Sequence, residues 1–306
     1  MALSHNHASA LFMMVSMAGF TVNDALVKLA STEVNMGQVM LVRGFFATLL
    51  IAALAWHQGA LRKLRLLLHP MVLLRSFCEL SSTIFFLLAL VHLPIGNVSA
   101  ILQALPLAVT MGAALFFAEP VGWRRWLSIG VGFVGVLIIV RPGVEGFSIY
   151  SLAVLACVFC AAVRDLSTRA VPKEVPTPLI SAMTSLMVTA AGAALVFLSG
   201  GWRPISSPEV GLLAVAAGLL IVGYQFIIVA MRTGDISFIA PFRYTALLWA
   251  IFLGFLLFGD VPDLPMILGS AIIVASGLYM LYREQVVAKR LPIASSTSPG
   301  MAPEGL

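Results

Sequence analysis

Residues 177–198 read TPLISAMTSLMVTAAGAALVFL, a run without Asp, Glu, Lys or Arg. Because a helix rises about 1.5 Å per residue, a run of about 20 apolar residues crosses the hydrocarbon core of a membrane. Nine further runs of similar length are predominantly apolar and contain few charges, so that the ten predicted spans are 8–29, 36–57, 70–92, 95–117, 123–140, 148–170, 177–198, 208–230, 236–258 and 263–282. We therefore predict an all-α polytopic membrane protein with ten transmembrane helices.

The composition excludes a soluble protein. Of the 306 residues, 60% are hydrophobic and only 10% are charged, whereas soluble domains carry about 25% charged residues to cover their surface. The net charge of +5 lies mainly in short runs between the spans, which is typical of membrane loops and not of a nucleic-acid binder. The partners we expect are the lipid bilayer and a small-molecule substrate, without nucleic acid, and a homodimer is left open.

The distribution of Lys and Arg predicts the orientation, because these residues concentrate in short cytoplasmic loops. With the N-terminus inside, three bases are on the outer side: Lys28, Arg141 and Arg203. The inner side then holds Arg62, Lys63, Arg65, Arg124, Arg125, Arg169, Lys173, Arg232, Arg283, Lys289 and Arg290. We therefore predict a protein of the cell inner membrane with both termini in the cytoplasm.

The chain also matches itself at an offset of 141 residues. Asp24 falls on Asp165, and each is followed four residues later by a base, Lys28 or Arg169. Five spans are an odd number, so the second copy enters the membrane upside down, as in many secondary transporters. We predict two inverted five-helix repeats, at 8–140 and 148–282, and a disordered cytoplasmic tail at 283–306.

Several motifs give the chain a family resemblance. It has two five-span copies, the pair Glu119-Pro120 followed by a Gly-rich span at 130–135, and an Asn23-Asp24-x-x-x-Lys28 end to span one. Over residues 8–282 it resembles the EamA-type transporters of the drug/metabolite transporter superfamily. The second copy departs from the pattern, with Asp260-Val261 in place of Glu-Pro. The resemblance implies a metabolite carrier whose central cavity is lined by spans three, four, eight and nine.

Ionisable residues inside a span are costly and face a cavity or a partner. Asp24 and Arg43 both lie in the outer third of their spans, where an ion pair between them would form a gate. The alternative is that Asp24 pairs with Lys28 on its own helix. Asp165 lies near the inner surface, either as an inner gate or as a local partner of Arg164 and Arg169 at a cytoplasmic helix end, where charge costs little.

Two further charges lie deeper. Glu79 is close to the midplane, where a carboxyl is either neutralised by a cation or protonated. We predict that it contacts substrate or couples protons, and the alternative is a structural pair with Arg75. Arg243 lies two residues beyond Pro241, and proline frees a backbone carbonyl of the kind that contacts substrate in broken transporter helices. We therefore assign Arg243 to the cavity.

Neutral candidates complete the predicted binding site. Pockets combine aromatic walls with a few placed polar groups, and the implied cavity spans contain Gln103, Tyr224, Gln225, Tyr244 and Trp249. The intramembrane charge is nearly balanced, which favours a flat molecule with polar edges. Within the family resembled, riboflavin importers fit best, and carriers of S-adenosylmethionine or exporters of amino acids and other metabolites are the alternatives.

An integral membrane enzyme is the main hypothesis of another class, and a channel is the second. The five histidines all lie outside a span or at its edge, and no nucleophile elbow or phosphate loop is present in a credible context. No charge ring or carbonyl filter indicates a channel. We therefore predict no enzyme activity, no metal and no cofactor, with transport driven by a gradient or by exchange.

Overall fold

The computed structural model describes residues 2–57, 65–118, 121–143, 146–172, 174–198, 201–233 and 236–290. All regular secondary structure in these ranges is helical. The helices are α1 (Ala2–Ala30), α2 (Met36–His57), α3 (Pro70–His92), α4 (Ile95–Leu102), α5 (Leu105–Phe116), α6 (Trp123–Val140), α7 (Ile149–Arg169), α8 (Thr177–Leu198), α9 (Ser207–Thr233), α10 (Ile236–Ile239), α11 (Thr245–Phe258) and α12 (Leu264–Arg290). Ten helical segments are long and apolar enough to cross a membrane, which confirms the predicted ten spans.

Two predicted spans are broken. Span four consists of α4 and α5, which meet at Gln103 and Ala104, and span nine consists of α10, a 3₁₀ turn at Ala240–Tyr244, and α11. Pro106 and Pro241 explain the breaks, since each lacks the amide hydrogen of an i to i−4 bond and its ring crowds the preceding turn. The sequence indicated the break near Pro241, whereas the break near Pro106 was not predicted.

The helices associate in four long pairs: α1 with α9, α2 with α8, α3 with α7, and α6 with α12. These are spans one and eight, two and seven, three and six, and five and ten. Exchanging the two five-span halves maps this set of pairs onto itself. The packing therefore supports the prediction of two related halves.

Small residues let the paired helices approach closely, as is common in membranes. A Cβ atom added to Gly192 of α8 would lie 2.8 Å from the Cβ of Met40 in α2. A Cβ on Gly135 of α6 would lie 2.8 Å from the carbonyl oxygen of Gly269 in α12. Neither site has room for a side chain, so glycine sets both interhelical distances.

The bundle has two ends, which we name by the chain. On the termini side α1 begins and α12 ends; on the far side α1 is joined to α2, α3 to α4, and α11 to α12. The helix α12 continues to Arg290, so the tail predicted to be disordered from residue 283 is helical at its start. Residues 283–290, REQVVAKR, are rich in strong helix formers. Several positions named above lie outside the described residues: 291–306, Arg62, Lys63, Lys173 and the Glu119-Pro120 pair.

Candidate functional site: a polar cavity between broken helices

A cavity of about 570 Å³ lies inside the bundle and opens to solvent. Its walls come from α1, α3, α4, α5, α7, α9, the 3₁₀ turn, α11 and α12. Its polar lining residues are Thr21, Asn23, Asp24, Ser99, Gln103, Thr110, Arg164, Asp165, Tyr224, Arg243 and Tyr244. The volume falls within the range of about 300–1,000 Å³ that is usual for small-molecule sites.

The structure brings part of the predicted set to this cavity. The predicted residues in the lining are Asp24, Gln103, Asp165, Tyr224, Arg243 and Tyr244. The lining excludes Arg43, Glu79, Gln225 and Trp249. Gln225 is exposed on α9, and Trp249 is 38% exposed and packs edge-to-face against Phe252 on the outside of α11. Sequence position alone put both inside a span but did not specify which face of the helix they occupy.

Both helix breaks lie at the cavity wall. Gln103 is the last residue of the turn that ends α4, and its amide bonds to the carbonyl oxygen of Ser99 at 3.2 Å. Arg243 and Tyr244 lie in the 3₁₀ turn before α11. The Tyr244 ring packs against α12 at Gly277, where a Cβ atom would lie 2.8 Å from the ring carbon that carries the hydroxyl. The breaks therefore place polar side chains in the cavity from helices that are otherwise apolar.

Arg164 forms the central ion-pair cluster. Its Nη1 donates to Oε2 of Glu79 at 2.8 Å, and its Nε donates to Oδ1 of Asp165 at 2.8 Å. The Arg164 and Glu79 side chains are 22% and 21% exposed. Glu79 is thus neutralised by a base 85 residues away and not by Arg75, whose guanidinium instead donates to the hydroxyls of Thr168 and Thr184. The predicted alternative partner of Glu79 is wrong, because α7 packs along α3 and brings Arg164 to Glu79.

Asp24 is bound differently. Its Oδ1 accepts a hydrogen bond of 2.8 Å from Nδ2 of Asn23. The positive charge of Arg43 acts on Asp24. The two side chains, both of which the structure describes, nevertheless do not form an ion pair. The predicted Asp24–Arg43 ion pair is therefore not formed in this structure. Lys28 is also not its partner, because Nζ of Lys28 donates to the carbonyl oxygen of Leu93.

The aromatic part of the wall comes from α1 and α9. Tyr224 lines the cavity, and its ring meets Phe20 edge-to-face at 5.1 Å between centroids. Phe20 in turn occupies the space beside Gly223, where a Cβ atom would lie 2.7 Å from the ring. The pair forms a fixed apolar surface beside the polar groups of α1.

Several lining residues were not predicted. Thr21, Ser99 and Thr110 are common neutral residues in spans, and only their position in the bundle distinguishes them from packing residues. Arg164 was considered only as a local partner of Asp165, although it also binds Glu79. No spacing in the sequence relates positions 79 and 164. Among the described residues, no three His, Cys, Asp or Glu side chains cluster so that they could hold a metal ion.

Ten membrane-spanning segments around a polar cavity define the class: a polytopic helical membrane protein with an internal binding space. The model of the EamA-like transporter family matches residues 7–141 and again residues 148–282. The chain belongs to the EamA-like transporter family, and with it to the drug/metabolite transporter superfamily. It is thus a transporter by family.

Relatives with established names agree on transport and differ in substrate. The chain is 28% identical to a riboflavin transporter of Vibrio cholerae, over 94% of this chain and 97% of the relative. It is 26% identical to an S-adenosylmethionine uptake transporter of Rickettsia felis, over 90% and 93%. It is 28% identical to the pseudopaline exporter CntI of Pseudomonas aeruginosa, over 84% and 90%. A crystal structure superposes with a TM-score of 0.60 at 18% identity, over 94% of this chain and 99% of that one, which supports the fold.

Proposed function

We propose that this protein is a secondary transporter that takes up a flat, polar-edged metabolite, with riboflavin as the first candidate. The observation that carries the proposal is the cavity itself. Its wall combines the Phe20–Tyr224 aromatic pair with neutral hydrogen-bonding groups such as Gln103 at a helix break. Stacking on an aromatic wall and hydrogen bonding at the edges suit an uncharged, flat ring system. The riboflavin transporter among the relatives agrees with this choice.

The test is growth of a riboflavin auxotroph that lacks its own importer and expresses this chain on micromolar vitamin. We expect rescue by the native chain and weaker rescue by Gln103→Ala. Gln225→Ala is the matched control, because this second amide is exposed on α9 outside the cavity lining. If the protein is present in the membrane and growth is not rescued, riboflavin is discarded.

S-adenosylmethionine is the second candidate, favoured by a specific observation. Asp24 is a cavity carboxylate without an ion-pair partner in the part of the chain that the structure describes, and such a group attracts a cationic centre such as a sulfonium. Uptake of labelled S-adenosylmethionine into proteoliposomes, with riboflavin as competitor, separates the two substrates. Saturable uptake of either one also separates a carrier from a channel, and the absence of both would favour the membrane-enzyme alternative.

We further assign the coupling role to Asp24 ahead of Glu79. Glu79 and Asp165 share Arg164, each at 2.8 Å, so both carboxylates have a cationic partner in contact, and the three groups together carry one negative charge. Among the described residues, Asp24 accepts a side-chain hydrogen bond only from Asn23, and the charge of Arg43 acts on it without an ion pair. A carboxyl in that situation is the one whose proton or cation occupancy changes most readily.

Counterflow separates coupling from binding. Asp24→Asn is expected to abolish uphill accumulation of riboflavin driven by a proton gradient while leaving exchange of labelled for unlabelled riboflavin intact. Asp165→Asn is the control, because Asp165 is a second cavity carboxylate but is already paired with Arg164, and this variant should keep accumulation. If Asp24→Asn accumulates substrate normally at every pH, Asp24 is not the coupling group.

A further inference from the structure

The far end of the cavity is closed by a cluster of residues that none of the predicted sites includes. Leu90, Ile95 and Ala250 line the cavity there and are almost fully buried, at 0% to 2% exposure. They come from α3, α4 and α11, so three helices meet beyond the polar groups. Apolar side chains thus form the far end of the cavity wall, and Ala250 also lines a second, smaller void beside Asp260.

Lys28 lies one turn beyond Asp24 on α1, outside this apolar layer. Its Nζ donates to the carbonyl oxygen of Leu93, at the connection from α3 to α4. The same ammonium group lies over the ring of Phe258, the last residue of α11, at 5.1 Å from the centroid. One side chain therefore joins the far ends of α1, α3 and α11 by a hydrogen bond and a cation–π contact.

Asp260 completes the cluster. Its charge acts on Lys28, and it lies beside Gly254, where a Cβ atom would be 3.6 Å from the Cβ of Asp260. Its Oδ2 is buried and lacks a hydrogen-bond partner among the described residues. A buried carboxylate oxygen without a partner costs free energy. The closed arrangement is therefore less stable than one in which every polar group of the cluster is hydrogen-bonded.

The termini side differs. There the cavity is lined by Arg243, which is exposed, and by Asp165, whose side chain is 39% exposed. The two broken spans also favour movement at the far side. The helix α4 ends at one break and α11 begins after the other, and both breaks lie next to the cavity. Rotation about these breaks would carry Phe258 and Asp260 away from Lys28.

We propose that Lys28, Leu93, Phe258 and Asp260 form a far-side gate, closed in this structure, which must separate before substrate passes between the cavity and the far side. Lys28 keeps the gate closed through its contacts with Leu93 and Phe258. When the gate opens, water solvates both Lys28 and Asp260. The proposal rests on the proposed transport function for its role but not for its test, because access to the cavity is measured without substrate.

The test measures access from each side of the membrane. In a background with Cys78, Cys157 and Cys160 replaced by alanine, Ser99→Cys places one thiol in the cavity wall on α4. A charged methanethiosulfonate, which does not cross membranes, is applied to intact cells or to inside-out vesicles. With the termini in the cytoplasm, the thiol should react faster in the vesicles. Adding Lys28→Gln should speed its reaction in intact cells about tenfold, the effect of about 1.4 kcal/mol on the equilibrium between closed and open states.

Arg141→Gln is the matched control. Arg141 also bridges two helix ends on the far side, through an ion pair with Asp263, but lines neither the cavity nor the gate. Burial would raise the pKa of Asp263, but the hydrogen bonds from Arg141 and from the amide of Met266 lower it overall, so this pair is charged at neutral pH. Removing it should leave the labelling rate in intact cells unchanged.

Two results would overturn the gate. One is an unchanged rate in intact cells for Lys28→Gln, measured on protein that is in the membrane and still reacts in inside-out vesicles. The other is fast labelling of the unaltered gate from the outside. If Lys28→Gln does not reach the membrane, Asp260→Asn replaces it, and the same acceleration is required of that variant. A protein that passes this test and transports neither candidate substrate would refute the proposed substrates and leave the gate standing.

Discussion

Replacing Arg164 with glutamine should destabilise the protein more than replacing any other intramembrane arginine. Arg164 binds both Glu79 and Asp165 at 2.8 Å, so its loss leaves two carboxylates without their base. Removing one partner of a fully buried pair costs about 3–5 kcal/mol. Because the Arg164 and Glu79 side chains are 22% and 21% exposed, water in the cavity relieves part of this cost, and we expect a loss of about 2 kcal/mol.

The measurement is the melting temperature of the detergent-solubilised protein. One kcal/mol shifts the melting temperature of domains of 150–250 residues by about 2–4 °C, so Arg164→Gln should lower it by about 4–8 °C. The control is Arg75→Gln, because Arg75 donates only to the hydroxyls of Thr168 and Thr184. Its removal leaves neutral groups and should cost clearly less.

A double-mutant cycle isolates the pair. Glu79→Gln in the Arg164→Gln background removes the carboxylate that has lost its partner, so the double variant should recover part of the lost stability. Additive losses, or an Arg164→Gln protein as stable as the native one, would refute the assignment of Arg164 as the neutralising base.

Two further predictions concern packing and orientation. Gly277→Ala should lower both transport and melting temperature, because the new methyl group would overlap the Tyr244 hydroxyl at the cavity wall; Gly218→Ala, with nothing within 4 Å of the added atom, should lower neither. A drop of equal size in both variants would show that loss of helical glycine, and not displacement of Tyr244, is responsible. Reporters fused next to Arg65 should be active as cytoplasmic fusions and those next to Arg203 as periplasmic ones, and the reverse pattern would contradict the proposed orientation.

The number and limits of the spans were predictable because the physical cause is local. Each run of about 20 apolar residues must be helical in hydrocarbon, since its backbone polar groups find partners only within the helix. The two errors, the missed break in span four and the early end predicted for the last helix, also have local causes. The break at Gln103 depends on a single proline at position 106. The end of α12 lies in a charged segment that is too polar for a membrane span but still has a high helix propensity.

Which residues meet was decided by tertiary structure. The sequence by itself determined that Asp24, Glu79, Asp165 and Arg243 are costly in a membrane and need partners or water. Apart from Arg164, which is next to Asp165 in the sequence, it did not determine the partners, because an ion pair between helices depends on the rotation of each helix about its axis and on its neighbour. Helix packing places Arg164 between Glu79 and Asp165 and leaves Asp24 to Asn23. Lys28 likewise has a nearby carboxylate in sequence at Asp24, yet it binds Leu93 across the bundle, because only the packed helices bring that carbonyl within reach.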